Sequence, residues 1–198
     1  MMTIKSLETI PVVLPLETPF KGGTYTIRNR NTIVVVVETD DARGEIYGGD
    51  EDGEQRAVVD LIKGPLREHL VGQRVATRDD IERIYVDLMN LPIDLGYRAL
   101  VDLDMGRHGI HQQALSLIDI ALWDALGKHL QKPVHELLGG TNRTEIPVFS
   151  IGGYYEEADH NAKKEEVDRL REQRLSGLKM KVGRDSLPKD LVRHPGGT

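Results

Sequence analysis

A chain of 198 residues, 39% hydrophobic and 29% charged, has the composition of an ordinary globular protein of one or two domains, which excludes a disordered or collagen-like one. Its longest unbroken apolar run, Ile33 to Val37, is far short of the roughly 20 residues a membrane-spanning helix needs. A net charge of -6, from 26 Lys and Arg against 32 Asp and Glu, disfavours nucleic acid as a partner, and the lack of cysteine leaves any metal to oxygen or imidazole ligands.

The amino terminus, MMTIKSLETIPVVLPL, has no basic start followed by an apolar block, so no secretory signal is read there and a cytoplasmic location is expected. From Thr3 to Leu14 apolar residues recur with period two and predict a strand. The polar, glycine-containing stretch from Glu17 to Asn31 predicts a long loop, and TIVVVVET after it a second strand. Asp40, Asp41 and Gly44 then supply turn chemistry ahead of GEIYGG, completing a three-stranded antiparallel meander.

Helical spacing follows. Val58, Leu61 and Ile62 form one face until Gly64 and Pro65 interrupt, and Thr77 with Asp80 makes a capping box ahead of Ile81, Ile84, Tyr85 and Leu88. A third helix, from about Ile110 to His129, is apolar nearly all round (ALSLIDIALWDAL), as expected of a central, buried helix. From Glu145 the texture changes to IPVFSIGG, a charged helix over 156–175, and GLKMKVG: a β-α-β unit, the start of a parallel α/β arrangement. Residues 184–198 show neither period and read as an irregular tail.

Most chemical signals along the chain are weak. His108 and His111 are three apart but lack a third ligand, so they read as surface residues at a helix start. Asp50, Asp52 and Gly53 resemble part of a calcium loop, but its twelfth position would be Val59 and not Glu. His135-Glu136 lacks the second His of a zinc-protease helix and reads as a structural turn. Gly152-Gly153 fits a tight strand-to-helix turn, and no phosphate-cradling glycine motif is present. The remaining feature is Lys179-Met180-Lys181. Residues i and i+2 of a strand share a face, so both ammonium groups lie on one side, with Leu178, Met180 and Val182 on the other. Two lysines on a strand usually face water, but in a helix-flanked barrel the apolar side meets the helices and the lysines point inward.

The run SLIDIALWDALGKHLQKPVHELLGG, followed by IPVFSIGG and LKMKVG, resembles the enolase superfamily in its mandelate racemase and muconate lactonizing enzyme group. The resemblance covers residues 3 to 183. It implies an α+β capping domain (the three-stranded antiparallel meander plus helices, 1–140), followed by the first β-α-β of an incomplete TIM-type (β/α) barrel (141–183) and the tail (184–198). It further implies abstraction of the proton next to a carboxylate, giving an enediolate held by Mg²⁺. In that pattern Lys181 is the base and Lys179 helps neutralise the substrate carboxylate. Two ammonium groups one strand repeat apart and partly desolvated disfavour each other's charge, as a lysine acting as a base near neutral pH requires. The loop 16 to 31, with Phe20, Gly22, Gly23 and Tyr25, would close over the barrel mouth and contact the substrate, a small hydroxy acid or sugar acid.

A whole barrel takes about 250 residues, and Ile146 to Thr198 supplies about two βα units. The family's acidic metal ligands lie on later strands, so no metal ligand is identified in this chain. A truncated enzyme of the racemase or sugar-acid dehydratase type, inactive alone, is the expectation. The open strand edges favour association, and a homo-oligomer is expected. The competing reading is a non-catalytic capping-domain protein that binds a partner subunit or a small acid.

Overall fold

The computed structural model describes residues 1–21, 26–48, 55–93, 105–140, 145–152 and 160–180. The chain divides into two compact units, Met1–Leu14 with Arg30–Thr141 and Pro15–Asn29 with Asn142–Thr198.

In the first unit, β1 (Met2–Lys21), β2 (Thr26–Thr39) and β3 (Arg43–Gly48) form the expected meander. A fourth strand, β4 (Arg74–Val75), joins it to give the order β3-β2-β1-β4, pairing antiparallel with Met2 and Thr3. Two residues carry no readable period, which is why β4 is invisible in the sequence. The tight turn between β2 and β3 is held by Thr39, whose hydroxyl accepts from the backbone N–H of Ala42 at 2.8 Å and of Asp41 at 3.2 Å. Asp40, beside it, accepts from the Thr3 backbone N–H at 2.6 Å, and that bond holds its carboxyl below the usual range.

The long loop expected over 17–31 is largely strand: β1 continues to Lys21 and β2 already begins at Thr26. Glu17, Thr18, Arg28 and Arg30 are exposed, so this stretch lacks the in–out alternation of a strand lying on a core. Strand pairing satisfies the backbone whatever the side chains are, and a polar ribbon therefore reads as a loop.

The helices cover one face of the sheet. α1 (Gln55–Leu61) and α2 (Arg67–Leu70) are joined by a kinked segment, Ile62–Leu66. The interruption expected at Gly64 and Pro65 is present: Gly64 takes a non-helical φ of -95° and ψ of -113°, a kink that separates the two helical stretches. Val58, Ile62, Leu66 and Leu70 stay buried across the bend. α3 (Arg78–Met89) starts at the predicted capping box, in which Thr77 accepts from the Asp80 backbone N–H while the Asp80 carboxylate accepts from the Thr77 N–H at 3.0 Å and the Ala76 N–H at 3.0 Å. The Ala76 bond is the main cause holding the Asp80 carboxyl below its usual range, with Thr77 adding to it.

Losing this cap is expected to cost about 1 kcal/mol in Thr77→Ala. A group whose folded-state affinity for protons is depressed contributes stability above its unfolded titration point and loses it as pH falls through the folded one. The urea midpoint of Asp80→Asn should therefore lie below that of the parent at neutral pH, and the two should converge in acid. A gap that persists unchanged at low pH would refute the assignment.

α4 (Met105–Leu130) begins earlier than its apolar pattern and packs on β3, α1 and α3. Leu115, Ile118 and Leu122 are fully buried with Ile4, Ile33, Ile81 and Ile84 in one core. His111, expected at the surface, is buried instead: it lies three residues before Ala114 and four before Leu115, on the same inward stripe of the helix. Asp119 is half-buried on this helix. Burial pushes its carboxyl above the usual range, and a hydrogen bond to Trp123 partly opposes the shift. The segment around His135 forms α5 (Val134–Leu137), a single turn as expected. Among the described residues no helix is long and apolar enough to cross a membrane.

In the second unit, β5 (Phe149–Gly152) and β6 (Gly177–Met180) pair in parallel and are connected through α6 (His160–Glu172), the predicted β-α-β. The distal part of the β1–β2 ribbon belongs to this same unit.

Candidate active site

The register of the parallel pair sets the site. Phe149 lies opposite Gly177, Ser150 opposite Leu178, Ile151 opposite Lys179 and Gly152 opposite Met180. One further rung precedes β6, where the Ser176 backbone N–H donates to Val148 O at 2.7 Å. Two residues past the end of α6, Arg174 takes the left-handed φ of 57° that turns the chain into β6. Lys179 thus stands one residue from the C-terminal end of β6, level with Ile151, the residue before the glycine that ends β5. In α/β folds the C-terminal ends of parallel strands are where catalytic groups gather.

Lys179 is exposed and Leu178 is half-buried, the alternation expected of a strand. The inward-facing lysine of a closed barrel is not what the described residues form: two strands do not enclose an interior, and Phe149 (60% exposed) and Ile151 (52%), which share the face of Lys179 by register, show that this face is open. Lys181, Tyr25, Gly22, Gly23, Asp50, Asp52, Gly53 and Gly153 lie outside the described residues. Phe20 lies near the end of β1, with its side chain outside the description, as is the side chain of His108 on α4. The structure therefore puts Lys179 and Gly152 on adjacent rungs of neighbouring strands, and it puts the ribbon segment bearing Phe20 in the same compact unit. His111 and His135 belong to the other compact unit. Among the described residues no three His, Asp or Glu side chains are grouped to hold a metal ion, so by themselves these residues do not fit a metal centre.

What sequence reading passed over is the close approach of β3 to α4. A Cβ on Gly44 would overlap Ala121 O and come within 2.7 Å of Ala125 N, while the neighbouring Glu45 N–H donates to Asp124 Oδ2 at 2.8 Å. A glycine in a strand interior was the available signal.

Comparison with known proteins gives this geometry its context. The model of the mandelate racemase / muconate lactonizing enzyme N-terminal domain matches residues 4–139. An arabinonate dehydratase from Saccharolobus solfataricus is 36% identical over 98 residues, covering 46% of this chain and 24% of the relative. A D-galactarolactone cycloisomerase from Agrobacterium fabrum is 31% identical over 195 residues, 92% of this chain and 44% of the relative. A mandelate racemase/muconate lactonizing enzyme from a marine actinobacterium, solved in complex with magnesium, superposes with a TM-score of 0.73 at 33% identity, over 98% of this chain and 47% of its own. The chain spans less than half the length of these curated relatives.

Proposed function

The chain belongs to the mandelate racemase / muconate lactonizing enzyme family, and from that premise we propose that it supplies the capping domain and the first catalytic lysines of an enzyme that removes the proton alpha to a carboxylate. The observation that carries the reading is Lys179, opposite Ile151 near the C-terminal end of a parallel β5–β6 pair, in a chain whose residues 4–139 match the family's N-terminal domain. Lys181, two residues on, is the base. Lys179 neutralises the substrate carboxylate. Phe20 and Tyr25 contact the substrate, a reading supported by the grouping of the ribbon segment that bears Phe20 with the β-α-β unit.

The domain division proposed is 1–140 for the cap, 141–183 for the barrel start and 184–198 for the tail. The substrate class is a small sugar acid, since the relatives are named for arabinonate and D-galactarolactone. Mg²⁺ is the cofactor proposed for the complete form, by analogy with the magnesium complex above, and none of the described residues is assigned to it. The 198 residues alone are inactive, the working form is a homo-oligomer, and it acts in the cytoplasm.

The test begins with the intact mass of the protein as its source makes it. A mass about twice 22.2 kDa allows a whole barrel, and that protein should then incorporate deuterium from D₂O alpha to the carboxylate of arabinonate or a related sugar acid. A mass of 22.2 kDa, or no exchange across such acids, would turn the reading to a non-catalytic capping protein.

A further inference from the structure

β3 is the outer strand of its sheet, in the order β3-β2-β1-β4, and no described strand pairs with its far side. An unpaired strand edge is a template for another strand. Which backbone groups of β3 face that edge follows from its pairing with β2. In an antiparallel pair, opposite residues alternate between those that bond each other and those that turn their N–H and C=O groups away. The Thr39 N–H donates to Ala42 O at 2.9 Å, so that pair is of the bonded kind. Along the register, Val37 with Gly44 and Val35 with Ile46 are then bonded as well, while Glu38 with Arg43, Val36 with Glu45 and Val34 with Tyr47 are turned away.

Arg43, Glu45 and Tyr47 therefore present their backbone to the open edge. The bond made by the middle one agrees: the Glu45 N–H leaves the sheet and donates to Asp124 Oδ2 of α4 at 2.8 Å. The same oxygen accepts from Lys128 Nζ at 2.7 Å, so the carboxylate is held at the edge from the helix. A backbone N–H bonded to a carboxylate makes a stronger bond than the carbonyl of an added strand would offer.

The edge is also complementary to itself. Arg43 and Glu45 lie on one face of β3, where they pair within the chain at 3.3 Å. A second β3 running antiparallel, with the two copies of Gly44 opposite each other, would set Arg43 of each chain opposite the partner's Glu45, and opposite charges directly across strands attract. Both of those rungs need the Glu45 N–H as a donor. We propose that the Asp124 carboxylate stands in for an incoming strand at the Glu45 N–H, and so keeps β3 from pairing with the β3 of a second copy of this chain.

The test is Asp124→Ala in the full chain, followed by amide hydrogen exchange at Glu45 and sedimentation velocity over a range of concentrations. In the parent the Glu45 amide should be protected at every concentration. In Asp124→Ala it should exchange like an unstructured amide when dilute and become protected as concentration rises, together with a shift to species larger than the parent's. Asp124→Asn keeps a side-chain carbonyl for the Glu45 N–H and should behave as the parent does. Adding Arg43→Glu to Asp124→Ala sets like charges opposite each other and should return the association state to the parent's, with the Glu45 amide still fast. The proposal is overturned if Asp124→Ala associates no more than the parent, if Asp124→Asn associates as Asp124→Ala does, or if the Glu45 amide stays protected in dilute Asp124→Ala. An unfolded Asp124→Ala would overturn it as well, because the bond at issue lies at the sheet edge and its loss only frees an amide to water.

Discussion

Replacing Gly44 by alanine is expected to destabilise the first unit by about 3 kcal/mol or more, the upper end of what overpacking costs. The added methyl would overlap Ala121 O, lie 2.7 Å from Ala125 N and 2.8 Å from Ala125 Cβ. Two of these three atoms are helix backbone, which cannot rotate aside as a side chain can. Relief requires β3 to move off α4. That movement would also stretch the 2.8 Å bond from the Glu45 N–H to Asp124 Oδ2, the carboxylate that Lys128 Nζ holds at 2.7 Å. The contrast is Gly48→Ala, whose methyl would meet only the Leu117 side chain. A leucine methyl can swing away, and a loss of about 1 kcal/mol is expected. Urea unfolding of both variants decides the matter. If Gly44→Ala matched Gly48→Ala, or stayed within about 0.5 kcal/mol of the parent, as surface substitutions do, the close approach would not be what holds β3 on the helix.

The second large effect concerns the lysines and rests on the proposed function. In the complete enzyme Lys181→Ala should lower kcat by about 10²–10⁴-fold, the usual worth of a positioned general base, with KM little changed. Lys179→Ala should raise KM for the acid, because its role is to meet a charge that is present in the bound substrate as well as in the transition state. Steady-state kinetics with a sugar acid, read together with solvent deuterium exchange, separates the two roles. The assignment fails if Lys181→Ala keeps its kcat, or if exchange survives unchanged in both variants.

Local chemistry was legible from the sequence wherever one element decides its own form. The Thr77–Asp80 box starts α3, because the side chains that satisfy the first helix donors are those of the same turn. Period two in β1 and the β-branched run of β2 make strands, and the all-round apolar stretch of α4 is buried, because a helix apolar on every side must be covered on more than one. The β-α-β near the end, with Lys179 on its second strand, followed from the same spacing rules.

What the tertiary structure alone decided lies where one element answers another. Lys21 and Thr26 are in strands because β1 and β2 pair, although their neighbours are polar. β4 exists only because Met2 and Thr3 present it an edge, and the kink at Gly64 is held in place because Ile62 and Leu66 on either side of it are buried. His111 is inside because of the face of α4 it shares, and Gly44 is required because a helix backbone lies against it. In each case the deciding term is a contact or a hydrogen bond supplied by residues distant in the chain, and no local pattern encodes a partner's position.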